Sequence, residues 1–249
     1  MHKSFMKPVF SPTQLLFPFT LLLLAWTTPG AAQVGHAPDA SPFRDLKAGH
    51  SITPLFGYVG GSGGPLGVGP HKGTTIGLRY DLRTASTIQF GIGFARGNLE
   101  RLVVNPFVAL ANRTSGPFEQ TTSFVDLSVQ LNLTGGKSWH RLAPYASLGA
   151  GLAFGNSDVA SDSSGYEFGN KFYVAPAIGT RLFITDALHL RADVRGLFWN
   201  LKYPDSYGRE PVEEPGTPEE PNAVKPQGSL SEWTLTPMLQ VGLGYSFSW

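Results

Sequence analysis

There is no cysteine among the 249 residues of this chain. That absence excludes disulfide staples, thiolate metal sites, cysteine nucleophiles and a lipidated amino-terminal cysteine. Charge is scarce too: Asp, Glu, Lys and Arg make up 15% of the residues, against roughly 25% in an average soluble protein. Little charge is therefore available for a wet surface. The formal net charge is +1, which lacks the electrostatic footprint of a dedicated nucleic-acid binder. Beyond the amino-terminal segment, no apolar run approaches the roughly 20 residues that a transmembrane helix needs. If the chain lies in a membrane, it does so as strands.

The amino terminus indicates the compartment. Lys3 and Lys7 precede an apolar run, Leu15 to Trp26 (LLFPFTLLLLAW), that Pro18 interrupts and that is too short to span a bilayer. Gly30, Ala31 and Ala32 then offer small residues for cleavage before Gln33. Residues 1–32 read as a secretory signal peptide and residues 33–49 as a periplasmic linker, leaving 50–249 for the folded part.

What is abundant is glycine, with 30 residues, and period-two alternation. Eight segments alternate, approximately 50–60, 74–83, 87–96, 122–133, 142–154, 171–184, 188–202 and 232–249. In the fourth, Val125, Leu127, Val129 and Leu131 oppose Asp126, Ser128, Gln130 and Asn132. The links also alternate: short ones follow the second, fourth and sixth strands, and long ones span 61–73, 97–121, 155–170 and 203–231. Alternation alone does not say which face is wet. The polar face does, because Gly77, Gly91, Gly93, Gly149, Gly151, Gly179, Gly242 and Gly244 fall on it. Glycine weakens a solvent-facing strand, whereas in a narrow lumen it makes room for long neighbours such as Arg79, Arg181 and Arg191. The expected fold is all-β, an eight-stranded antiparallel up-and-down transmembrane β-barrel.

Three stretches carry a family resemblance: the final strand VGLGYSFSW, the run PYASLGAGLAFG, and the hairpin APAIGTRLFITDALHLRADVRGLFW. With them the chain resembles the small outer-membrane β-barrel family that includes the OmpA membrane domain, OmpX and OmpW. The resemblance covers about Gly49 to Trp249 and implies short periplasmic turns, long external loops and a location in the bacterial outer membrane. Val241, Leu243, Tyr245, Phe247 and Trp249 would then form the carboxy-terminal insertion signal, read by the barrel-assembly machinery. The OmpA architecture adds a peptidoglycan-binding domain after its barrel; here the chain ends at the last strand, so no cell-wall tether is implied.

Within this frame Arg79, Asp81, Arg83, Asp126, Arg181, Arg191, Asp193 and Arg195 point into the lumen as a charge network that either gates a pore or fills a plugged interior. A tight turn at Asp186 places Arg181 opposite or diagonal to Asp193, within reach of a cross-strand ion pair. Tyr245, Phe247, Trp249 and Trp139 are expected at a periplasmic girdle, and Phe94, Phe124, Phe154, Phe172, Phe198 and Trp233 at an outer one. The loop 203–231, with Glu210, Glu213, Glu214, Glu219 and Glu220 among prolines, is expected to be extended and solvated, or to bind divalent cations. The stretch LVVNPFVAL from Leu102 to Leu110 either contacts a partner or continues the strands above the membrane. His50, His71, His140 and His189 lack sequence partners for catalysis, and no cofactor motif or metal-ligand spacing is found. The expected function is a non-enzymatic barrel with a structural or surface-interaction role; the alternatives are a narrow channel and, third, a lipid A-modifying enzyme. Expected partners are outer-membrane lipids and lipopolysaccharide. A closed barrel predicts that gel mobility in detergent shifts on boiling; a soluble product without a shift would turn the apolar faces inward.

Overall fold

The computed structural model of the protein describes residues 41–155, 162, 164–226 and 228–248. The expected signal peptide, residues 33–40 of the expected linker, and Trp249 lie outside the described residues. From Pro42 onward the chain forms β1 (Phe43–Asp45), β2 (His50–Val59), β3 (His71–Arg83), β4 (Ile88–Val104), β5 (Thr114–Asn132), β6 (Lys137–Trp139), β7 (Leu142–Gly155), β8 (Asn170–Phe183), β9 (Leu188–Lys202) and β10 (Ser231–Phe247). Eight of these close a ring in the order β2-β3-β4-β5-β7-β8-β9-β10, with β10 pairing back onto β2 and every pairing antiparallel. Closure removes the unpaired edges that an open sheet would expose. No helix among the described residues is long and apolar enough to cross a membrane.

The pleat fixes what faces where. On β5, Leu127 is 65% exposed whereas Asp126 beside it is 6% and Gln130 is 0%. The same parity holds on β3, β4 and β9, where Ile76, Leu78, Phe90, Ile92, Leu190 and Val194 are exposed and Arg79, Asp81, Gln89, Arg191 and Asp193 are buried. This polarity is the inverse of a soluble barrel. A continuous apolar belt of this kind exceeds what a water-facing surface carries, and it matches a lipid-facing wall. The fold is an eight-stranded transmembrane β-barrel.

Two elements depart from the sequence reading. The link expected over 97–121 is mostly strand: β4 and β5 pair from Ile88↔Leu131 out to Val104↔Thr114, with a register shift between Arg101 and Val103. A tilted spanning strand needs about 9–11 residues, so β4 with 17 and β5 with 19 carry the hairpin beyond the hydrocarbon. Both of its faces then see mixed surroundings, which blurs the alternation. At the opposite end, β1 pairs with β6 in the register Phe43↔Trp139, a small ribbon attached to the turn between β5 and β7.

The aromatic girdles need two corrections. Phe154, Phe172, Phe198 and Trp233 are exposed near the loop ends of their strands, and Trp139 and Tyr245 near the turn ends; Phe94 is exposed too, but at mid-strand on the long β4. Phe124, however, is 2% exposed and lies inside the barrel. It shares parity with Asp126, so the pleat turns it inward.

The lumen glycines are set by contact. A β-carbon at Gly91 would collide with the Arg79 guanidinium and the Asp81 carboxylate, and one at Gly179 would stand 2.6 Å from both the Asp193 β-carbon and the Tyr145 ring. Gly91→Ala is therefore expected to destabilise the barrel by about 1–3 kcal/mol, read as a lowered urea midpoint in lipid vesicles. Gly135→Ala does not share that clash, since its nearest prospective neighbour is the Thr87 methyl at 3.8 Å, and any loss there comes from its positive φ of 65°.

Candidate functional site

One strand displays the contents of the lumen in order. Along β9 the inward residues run His189, Arg191, Asp193, Arg195, Leu197, Trp199 and Leu201 from the turn end to the loop end, all buried. Along this strand the turn-end half of the interior is charged and the loop-end half apolar.

The charged half is organised as a closed ring of three arginines and three aspartates. Arg79 contacts Asp81 at 2.8 Å and Asp126 at 3.6 Å. Arg191 contacts Asp81 at 3.0 Å and Asp193 at 2.9 Å. Arg195 contacts Asp193 at 3.5 Å and Asp126 at 3.1 Å. Each cation thus bridges two carboxylates and each carboxylate two cations, so the ring is neutral. Two of its six edges are ion contacts without a hydrogen bond, consistent with the absence of a hydrogen-bond partner at Asp126 Oδ1, Asp193 Oδ1 and Arg195 Nε. Burying an ion this deeply costs several kcal/mol unless it is paired and hydrogen-bonded. The ring meets that need from within, aided by phenols above and below: Tyr145 Oη donates to Asp193 Oδ2 at 2.9 Å and Tyr173 Oη to Asp126 Oδ2 at 3.3 Å. Arg79 also donates to the Ser128 hydroxyl.

Two expected members stand apart. Arg83 is half-buried at the turn end of β3, outside the ring. Arg181 does not pair with Asp193. In the register of β8 and β9, Arg181 lies opposite Arg191 and Asp193 lies opposite Gly179. The diagonal is as expected, but Asp193 is already engaged by Arg191 and Arg195, and the Arg181 guanidinium donates instead to Asn132 Oδ1 at 2.5 Å. Gln130 joins this layer, donating to Gln89 and Asn132.

Above the ring the lumen is filled by aromatic side chains. Trp199 stacks on Phe124 at 6.2 Å between ring centroids and meets the edges of Phe168 and Tyr173 at 5.4 and 6.4 Å. Tyr166 and Phe168, from the connection between β7 and β8, and Tyr203 and Tyr207, beyond β9, complete this buried cluster. Arg101 Nη2 donates to Asp162 Oδ2 at 2.5 Å beside it. Burial alone would raise the Asp162 pKa, but hydrogen bonds from Ser164 and Arg101 outweigh it and hold the carboxyl below its ordinary range. Sequence reasoning missed the tyrosines and the plug. The parity of Tyr145 and Tyr173 with neighbouring inward glycines was the available signal; the plug residues 166 and 168 carry no periodic pattern.

Among the described residues the histidines form no catalytic set. His189 does find a hydroxyl, contrary to the sequence reading: Ser246 Oγ lies 3.1 Å from its Nδ1, brought across from β10. Its Nε2 has no partner among the described residues. His50 Nδ1 lies 2.6 Å from the Tyr80 hydroxyl, and His71 Nδ1 lies 2.9 Å from the Gly69 carbonyl. No group of three His, Cys, Asp or Glu able to hold a metal occurs among the described residues. The acidic loop is more structured than expected. The Glu210 carboxylate accepts backbone N–H groups of Gly216, Asn222 and Ala223 at 2.9–3.2 Å, which hold its pKa below the ordinary value.

The geometry defines the class as a small membrane β-barrel with a filled interior. Among solved structures, the chain is similar to the outer membrane protein OprG of Pseudomonas aeruginosa, at 12% identity over 84% of this chain and all of that one, with a TM-score of 0.49. It is also similar to Neisserial surface protein A (13% identity, 83% of this chain, 98% of that one, TM-score 0.47) and to the N-terminal β-barrel domain of Pseudomonas aeruginosa OprF (14%, 80%, 98%, 0.43). No family model matches the chain, and no curated protein matches it.

Removing one member of the ring leaves buried cations short of a carboxylate. Asp193→Ala is expected to cost about 3–5 kcal/mol in vesicle unfolding, and exchanging all six members together for apolar residues of similar size is expected to cost less than that. The Asp162 contact has a defined pH window. Because its folded pKa is lowered, its contribution is fully present above the unfolded value of about 3.9 and is lost as pH falls through the folded one. Hydrogen exchange at the Ser164 and Tyr166 amides should accelerate over that acid range, and Asp162→Asn should abolish the pH dependence.

Proposed function

We propose that the protein is an integral bacterial outer-membrane barrel, exported by its amino-terminal signal peptide, that neither conducts solutes nor catalyses a reaction. Its role is structural and, through its outer loops, one of surface interaction. The observation that supports this reading is that side chains fill the lumen at two levels, a neutral ion-pair ring at one and the Trp199 cluster at another. An eight-stranded wall encloses little more than its own side chains, and here both levels are occupied.

The outer end supports the interaction role. The β4–β5 hairpin rises beyond the hydrocarbon, and the Leu110 amide at its tip donates to Glu214 Oε2 at 3.0 Å, joining it to the acidic loop. Phe107, Leu110 and Val212 are exposed around this junction, Val212 to 91%. A lipid-modifying enzyme would need its acid, base and nucleophile near this end, whereas the Ser246–His189 contact lies at the turn end. The remaining partners are envelope lipids and lipopolysaccharide along the apolar wall. Val241, Leu243, Tyr245, Phe247 and Trp249 serve as the strand that the barrel-assembly machinery reads.

In planar bilayers the purified protein is expected to give no steady single-channel steps. Replacing Arg191, Asp193 and Arg195 together with alanine, or Phe168 and Trp199 with alanine, is expected to open no path alone, because the other level still blocks it; combining the two sets is expected to give conductance. Steady conductance by the unaltered protein would overturn the closed-lumen reading, and a shift in lipid A mass on its expression would overturn the non-enzymatic one.

A further inference from the structure

Below the ring, at the turn end, the barrel holds a chamber whose charge is unbalanced. Each ring arginine is matched by a carboxylate, but Arg181, 3% exposed, forms no ion pair with a described residue, and its Nε has no hydrogen-bond partner. It lines a cavity of about 40 Å³ floored by the β1–β6 ribbon, against the roughly 10–15 Å³ that one water needs. Ser51 Oγ, also buried and without a partner, lines the same cavity, as do Arg44, Lys47 and Arg141. The carboxylates on its lining are Asp45 and Asp186, both largely exposed and each facing a lysine, Lys137 at 3.9 Å and Lys47 at 4.0 Å. Arg44, Arg141 and Arg181 form no ion pair within 4.0 Å among the described residues; the ring carboxylate Asp81 acts on Arg181 only from beyond that distance.

From this we infer that the turn-end chamber is a binding site for a small oxyanion of the phosphate class. A guanidinium presents N–H donors in a planar fork suited to such oxygens. The Arg181 Nε and the Ser51 hydroxyl supply two buried donors, and Arg44 and Arg141 line the same cavity from the mouth. Occupancy would satisfy the orphan donors and offset the buried Arg181 charge, which the ring does not pair. The chemistry is shared by free inorganic phosphate and by the phosphate of a lipid headgroup at the adjoining bilayer surface. This site does not depend on whether the lumen conducts.

The test titrates inorganic phosphate into the full chain folded in octyl glucoside, an uncharged and phosphate-free detergent, and follows binding by phosphorus NMR. One saturable site per chain is expected, with affinity falling about tenfold or more in Arg181→Gln, the scale of a lost charge-assisted hydrogen bond. Heat-dependent gel mobility shows that the variant is folded; if it is not, the exposed pair Arg44→Gln with Arg141→Gln takes its place with the same expected loss. Dihexanoyl phosphatidic acid that displaces the bound phosphate identifies a headgroup as the natural source, whereas phosphate binding that the lipid does not compete away identifies the free ion. Absence of saturable binding, or an affinity unchanged in the folded variants, overturns the site.

Discussion

A lumen walled by eight strands is too narrow to hydrate the side chains that point into it, and most of the interior follows from that. Every charge placed there must be answered by another charge or a hydrogen bond. Arg79, Arg191 and Arg195 with Asp81, Asp126 and Asp193 answer one another in a closed cycle. The cycle fixes what may surround it. Gly91 must lack a side chain because the ring occupies its space, Gly93 leaves a β-carbon only a tight 3.1 Å from the Asp126 carboxylate, and Tyr145 and Tyr173 must be phenols, not phenylalanines, if the carboxylates are to gain their extra donors. Outside, the apolar face needs no such matching, since lipid accepts any aliphatic or aromatic surface.

The wall was legible in the sequence because a period of two leaves a mark on every residue it governs. The alternation of Val125, Leu127 and Val129 with Asp126, Ser128 and Gln130 identifies both the strand and its faces. That rule reached further than it was applied: counting from Asp126 turns Phe124 inward, and counting from the glycines of β7 does the same for Tyr145. Partners across the lumen were less legible. The inward set included all six ring members, but alternation cannot say which Arg meets which Asp, because that depends on the stagger between strands. Arg181 shows this, lying diagonal to Asp193 as expected yet bonded to Asn132.

Irregular segments left the least trace. The plug residues Tyr166 and Phe168 come from a connection without periodicity, and their burial depends on where the loop turns back into the barrel. The β1–β6 ribbon has only three residues on each side, too few for a pattern to rise above chance. The acidic loop misled by composition: carboxylates among prolines suggest solvated chain, but Glu210 spends its oxygens on three backbone amides and gives the loop a local centre.

A closed barrel has one place where its beginning meets its end, here the seam between β2 and β10. The Arg191–Asp81 contact links β9 to β3 and so passes across that seam from within. Parting the first and last strands would therefore mean drawing apart two buried opposite charges as well as breaking a ladder of hydrogen bonds. The join between the first and last strands of the ring is latched from the inside, and the cross-section is braced against flattening by struts that run from β3 to β5, β5 to β9 and β9 back to β3.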